Sequence, residues 1–165
     1  MNSNTNIIDF VNTSGFSSIE HPSEMSKIVF NSKELFEDCA NLNITARKSL
    51  TMGIPNIDSK YYLPFILGYF DGDGSIFKLA NGEYGINIIG SYDFIMWVNE
   101  VLKISSKLEQ RKLETPIYHI RCGGTNKPYQ IMKQLYDSCD IHLDRKYNIF
   151  KELETVVLDR NIKDN

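Results

Sequence analysis

Apolar residues recur at strand and helix spacings along most of the chain, and the order of these stretches defines an architecture. Met25–Phe30 reads as a strand, and Ser32–Leu42 as a helix with Leu35, Phe36 and Cys39 on one side. Gly53–Ser59, which contains Pro55, reads as a connection. Tyr61–Asp71 is apolar enough for a buried helix. Pro64 is tolerated in its first turn, where the missing N–H has no helical partner to lose, and Gly72 and Gly74 end it. Two strands, Ser75–Ala80 and Tyr84–Gly90, flank Asn81-Gly82, a pair suited to the positive φ angles of a hairpin turn. Ser91 or Asp93 caps the next helix, whose Phe94, Ile95, Val98, Val101 and Leu102 follow helical spacing. A second strand pair, Lys107–Glu114 and Ile117–Cys122, turns at Thr115-Pro116 and closes at Gly123-Gly124. Two helices follow. Lys127–Asp137 buries Ile131, Met132 and Leu135, and Lys146–Leu158 buries Ile149, Phe150, Leu153, Val156 and Val157.

From Tyr61 onward the order is αββαββα with a terminal helix. This is an α+β arrangement: a four-stranded antiparallel sheet with helices on one face and the other face free. Residues 1–24, rich in Asn, Ser and Thr with no sustained period, read as a loosely ordered segment. The flanks contain a weak repeat. Lys27–Leu50 runs strand, helix, then Arg47-Lys48, and His119–Tyr147 runs strand, helix, then Arg145-Lys146. Taken as true repetition, it makes residues 25–60 the tail of a first half-domain and residues 61–160 the complete one. Taken as chance, it assigns them nothing.

Composition narrows the function classes. The chain has 165 residues, 42% hydrophobic and 12% aromatic, which suffices for one domain's core. No apolar run is long enough to span a bilayer, and the opening MNSNTNIIDF has no basic flank followed by an apolar stretch. Cys39, Cys122 and Cys139 form no CxxC pair and no zinc spacing, which fits reduced thiols in an intracellular protein. The net charge of −3 argues mildly against nucleic acid. Locally the balance reverses: between Lys103 and Lys133, seven basic residues face two acidic ones, a local +5. Phosphate binding responds to that local field. An ordinary solvated strand pair would carry similar charges.

The densest chemistry lies in Gly68-Tyr69-Phe70-Asp71-Gly72-Asp73-Gly74-Ser75. Gly68 and Gly72, four apart, share one helix face and allow another backbone to approach closely, with Ile66, Tyr69 and Phe70 flanking them. Asp71 and Asp73 sit at the helix's C-terminal end, where carboxylates oppose the helix dipole. A bound cation would offset that cost. Solvated aspartates in a glycine turn are the plainer reading. An EF-hand loop is excluded, because counting from Asp71 its required Gly is Ile76 and its required Glu is Gly82.

The segment Phe65–Ile76, FILGYFDGDGSI, resembles the LAGLIDADG motif of homing endonucleases, and the element order after it resembles that family's half-domain, over about Tyr61 to Leu158. Leu67 departs from the motif's Ala, which bears on how closely two such helices can pack. The resemblance implies a metal-dependent, site-specific double-strand DNA endonuclease using Mg²⁺ or another divalent cation. Asp73 and the Gly72 carbonyl would be the metal ligands, and Asp71 would help end the helix. Lys146 and Lys48 would be basic residues near the metals, with Arg145 beside Lys146. Ile66, Gly68, Tyr69 and Gly72 would form the helix–helix face. With one motif per chain, it implies a homodimer on double-stranded DNA. Parity on the free sheet face then puts Lys107, Arg111, His119 and Arg121 toward DNA, and on the first strand either Lys78 or Phe77 and Leu79. A nucleic-acid-binding protein of the same fold that does not cut is the alternative.

Overall fold

Strand pairing builds two separate antiparallel sheets, one of two strands and one of four. They are seen in a computed structural model that describes residues 6–13, 22–46, 48–104, 109–112 and 115–163, with backbone alone at 49, 111, 112, 115, 161 and 163. Contacts divide the chain into two units, residues 1–38 and 39–165.

In the first unit, β1 (Ile8–Asn12) pairs with β2 (Ser23–Lys27) from Ile8↔Lys27 to Asn12↔Ser23. The strand at Ile8–Asn12 falls in the stretch expected to be loosely ordered. Its apolar alternation, Ile8 then Phe10, is too short to stand out in sequence. Ile8, Phe10 and Met25 share one face, with the Lys27 ammonium 5.5 Å from the Phe10 ring. Helix α1 (Lys33–Asn41) begins where the Ser32 hydroxyl accepts the Leu35 N–H at 3.1 Å.

The second unit continues with a short helix, α2 (Lys48–Thr51), and a 3-10 turn at Ser59–Tyr61. Next come α3 (Tyr62–Asp73), β3 (Ser75–Lys78), β4 (Tyr84–Gly90), α4 (Tyr92–Val101), β5 (Glu109–Lys112), β6 (Thr115–Gly124), α5 (Asn126–Tyr136) and α6 (Asp144–Lys163). The sheet order is β3-β4-β6-β5, each pair antiparallel. This is the expected α+β arrangement from the third helix onward. Gly82, at φ +82°, makes the first hairpin's turn, where the Asn81 side-chain oxygen accepts the Glu83 N–H at 3.1 Å. Ser91, and not Asp93, caps α4: its hydroxyl accepts the Phe94 N–H. The second hairpin differs from expectation. Thr115 and Pro116 lie inside β6, and Lys112 pairs with Thr115.

The period of two along the strands separates the sheet's faces. Tyr84, Ile86, Ile88, Ile120 and Cys122 are buried, forming one core with Phe94, Ile95, Val98, Met132, Leu135, Phe150 and Leu153 of the helices. The opposite parity holds Phe77, Gly85, Asn87, Ile89, His119 and Arg121. Phe77 covers Gly85, where a Cβ would come within 2.6 Å of the ring, so a side chain at 85 would displace the exposed Phe77 ring.

Candidate functional site

Helix α3 is apolar on every side, so packing alone decides which face turns inward. Ile66, Leu67, Tyr69 and Phe70 are buried, and Tyr61, Gly68 and Gly72 are exposed, with Phe65 partly so. Positions 61, 65, 68 and 72 form one outward stripe at helical spacing. Two residues expected on the helix–helix face are thereby corrected. Ile66 is 1% exposed, and Tyr69 packs 4.3 Å from Phe94 while its hydroxyl donates to the Ile89 carbonyl at 2.8 Å. Both belong to this chain's own core. Leu67, the departure from the motif, is buried as well and does not stand on the outward stripe. Gly68 faces open space, since a Cβ there meets nothing within 4 Å. A groove of about 300 Å³ runs beside it, lined by Ile44, Lys48, Met52, Pro64, Phe65 and Tyr69.

The helix continues through Gly72 to Asp73, two residues past its expected end, and Lys146 supplies the reason. The Lys146 ammonium donates to the carbonyls of Phe70 at 2.6 Å, Asp71 at 3.0 Å and Gly74 at 2.6 Å. The Phe70 carbonyl also accepts the Gly74 N–H at 2.8 Å, and a lysine brought in from α6 adds a donor to it and to the Asp71 and Gly74 carbonyls. Lys146 was expected to stand beside the metals. It is 3% exposed, and all three of its N–H groups point at the helix end that carries Gly72 and Asp73. Burial, with Arg145 adjacent, lowers its pKa from the usual lysine range, against the pull of Asp71 and Asp73. Arg145 itself is exposed on the first turn of α6. Asp71 ties down the same corner, its Oδ2 accepting the Leu143 N–H at 2.8 Å. Its Oδ1 is buried without a hydrogen-bond partner, as is the Tyr136 hydroxyl. Burial, then Asp71 and Tyr147, raises the Tyr136 pKa well above the ordinary phenol value.

Asp73 has different surroundings. Its side chain is 30% exposed, and Oδ2 lies 2.8 Å from the Lys48 ammonium, itself 37% exposed. Lys48 also sits 4.3 Å from the Tyr69 ring centroid and would be 3.6 Å from a Cβ on Gly72. Two lysines from distant stretches of sequence thus flank one helix end.

On the open sheet face, Arg121 is exposed opposite Asn87, and His119 pairs in register with Ile89 and Glu109. His119 is 7% exposed, its Nε2 lying 3.2 Å from Glu109, so little of its ring is presented outward. The first strand's parity is resolved against Lys78. That residue pairs with Tyr84 on the core parity, its ammonium 5.6 Å from the Tyr84 ring, while Phe77 takes the open face. Arg111 is described by backbone alone, within β5, and Lys107 lies outside the described residues. Asn87 was not singled out in the sequence, although alternation with Ile86 and Ile88 would have found it. Its side-chain Oδ1 is buried without a partner, between Ser75 and Arg121.

Among the described residues no three His, Cys, Asp or Glu side chains cluster as a metal site, and no helix is long and apolar enough to cross a membrane. One chain offers one carboxylate, Asp73, and the adjacent Gly72 carbonyl. These are hard oxygen donors of the kind Mg²⁺ takes, but they amount to half a set.

A glycine-faced helix ending in an acid is followed by hairpin, helix, hairpin and helix, an α+β unit with a four-stranded antiparallel sheet. No family model matches the chain, and no match is found among curated proteins. Among solved structures, the chain is similar to the homing endonuclease I-CvuI in complex with its target in the presence of 2 mM Ca. The two are 12% identical, with a TM-score of 0.46 over 64% of this chain and 71% of that one. A second structure of I-CvuI, in complex with the I-CreI target in the presence of 2 mM Mg with DNA not cleaved, is 10% identical. Its TM-score is 0.41, over 56% of this chain and 63% of that one.

Proposed function

We propose that this chain is a site-specific, metal-dependent double-strand DNA endonuclease of homing type, working as a homodimer inside the cell. The observation that carries the reading is the Asp73 carboxylate, partly exposed at the end of a helix whose exposed stripe holds Gly68, facing open space, and Gly72. Small residues on such a stripe allow a second copy of the helix to approach closely. Two copies would bring two Asp73 carboxylates and two Gly72 carbonyls together, a donor set that fits divalent cations. The bound cations would supply charge neutralisation at the scissile phosphates and a more acidic attacking water.

The remaining roles fall to the chain's own residues. Lys48, held at Asp73, supplies positive charge where the phosphoryl oxygens gain negative charge. Arg121 on the open sheet face contacts DNA, with Arg145, Arg111 and Lys107 adding phosphate contacts around it. A two-fold pair reads a pseudo-palindromic target.

Replacing Asp73 with Asn tests the reading, using Mg²⁺ and a random-site duplex library with sequencing of the cut ends. Cleavage disappears and salt-sensitive duplex binding remains. Unchanged cutting by the Asn variant rejects the assignment. A second reading, duplex binding without cleavage, is favoured by one contact. Lys48 already neutralises Asp73 with a cation from the chain itself. Binding by the unaltered protein with no metal-dependent cut selects it.

A further inference from the structure

We propose that Lys146 is a positioning residue for the metal ligands, acting by holding the backbone of the last turn of α3 in place. The pattern of carbonyls it takes is the basis. Lys146 bonds those of Phe70, Asp71 and Gly74, and passes over those of Gly72 and Asp73. The two residues that would supply oxygen to a cation are therefore bracketed by carbonyls bonded to Lys146 on both sides, with their own backbone oxygens not taken by it. The bracket has a second strut, because the Leu143 N–H holds Asp71 Oδ2 from the same approach to α6. The Phe70 ring, 4.9 Å from the ammonium and 0% exposed, closes the floor beneath it.

A helix terminus without such a clamp frays, and fraying would scatter the Gly72 carbonyl and Asp73 carboxylate over several orientations. The ammonium supplies three donors at once, which one neutral side chain cannot do. Its burial fits this role, since a lysine that met substrate would have to reach solvent. Lowered basicity from the same burial is consistent with a group kept from water. The inference rests on the nuclease reading for its consequence. The clamp itself is testable without it.

The experiment compares the unaltered protein with Lys146→Met, which keeps the stem and removes the donors. Amide hydrogen exchange at Gly74 and Ser75 reads the backbone. The Mg²⁺ dependence of single-turnover cleavage on the library reads the ligands. A positioning role predicts faster exchange at Gly74 and a half-saturating Mg²⁺ concentration raised by about tenfold to a hundredfold, as for lost supporting contacts at metal sites. The rate at saturating Mg²⁺ stays within about threefold of the unaltered protein, since no group acting in the transition state has been removed. A collapsed saturating rate with unchanged exchange overturns the proposal and makes Lys146 catalytic. No change in either readout also overturns it. Should the methionine variant fail to fold, Lys146→Arg decides: exchange and half-saturation moving together support the clamp, and either moving alone rejects it. A protein that cuts nothing and takes up no Mg²⁺ defeats the nuclease reading, while exchange at Gly74 still judges the clamp.

Discussion

The two flanks of the motif helix end meet the same residue type in opposite circumstances. On one side Lys146 is buried and spends its donors on three backbone carbonyls. On the other, Lys48 is partly in solvent and meets the single carboxylate of Asp73. Each follows an arginine after a strand and a helix, so the sequence presents them as equivalents. Their surroundings separate them. A buried ammonium must satisfy every N–H and becomes part of the frame, whereas one sharing its charge with solvent stays available to a phosphate or a competing cation. The same helix is thus built with a dry flank that fixes its end and a wet flank that presents it.

The largest expected effect of breaking that contrast is on the dry side. Lys146→Met removes a donor from three carbonyls at a buried site, of which only Phe70's keeps the Gly74 N–H, and stability falls by roughly 2–4 kcal/mol in urea titrations. A loss no larger than that of a surface ion pair would show that solvent reaches those carbonyls and that the flank is not dry.

Much of the frame was legible beforehand, and the division between what was and was not has physical causes. The strands alternate visibly, so Tyr84–Gly90 and its Asn81-Gly82 turn coincide with what periodicity and positive-φ chemistry predict. The helix after the second hairpin, expected from Lys127, could be placed as well, because Ile131, Met132 and Leu135 recur at helical spacing; α5 begins one residue earlier, at Asn126. The faces of α3 could not be read, because Ile66, Leu67, Tyr69 and Phe70 make it apolar all round. Pattern therefore put Ile66 and Tyr69 on the outer face when packing turns them inward. Asp73 and the glycines are local in sequence and were found. The Lys146 role depends on contacts spanning 72 to 76 residues, which no local pattern encodes.

Tyr136 sharpens the dry flank through pH. Its hydroxyl is buried without a partner and its pKa is raised above the ordinary phenol value by burial, then by Asp71 and Tyr147. A group whose folded pKa exceeds its unfolded value contributes stability in full below the unfolded value, about pH 10 for a phenol, and loses it as pH rises through the folded value. Tyr136→Phe removes that dependence, so its stability declines less steeply above about pH 10 than that of the unaltered protein. At neutral pH the change stays within about 1 kcal/mol, because no hydrogen bond is lost. Parallel alkaline curves for the two proteins would place the hydroxyl in solvent.

On the wet flank the open stripe gives a smaller and opposite effect. Gly68→Ala adds a methyl that touches nothing within 4 Å in this chain. Alanine's helix preference then stabilises the isolated chain by about 0.5–1 kcal/mol. If two copies pack through this stripe, the same methyl weakens their association. Thermal unfolding of dilute protein and sedimentation at rising concentration separate the two. A higher melting temperature with unchanged association means that Gly68 faces no partner.

The smallest stability change belongs to Lys48, and it bears most directly on the contrast between the flanks. Its pair with Asp73 is partly exposed on both sides, so Lys48→Met changes stability by less than about 1 kcal/mol. Whatever it removes is felt at the carboxylate. Cleavage at saturating Mg²⁺ falls by about a hundredfold, the loss expected when a charge that stabilises the transition state is deleted. The Mg²⁺ concentration for half-maximal rate does not rise, because the ammonium competes with cations for Asp73 and its loss frees the carboxylate. Lys146→Met predicts the reverse pair of results: altered Mg²⁺ dependence with a preserved maximum. Measured side by side in the same cleavage assay, two variants that shift the same parameter would erase the distinction between a lysine that builds the helix end and one that serves it.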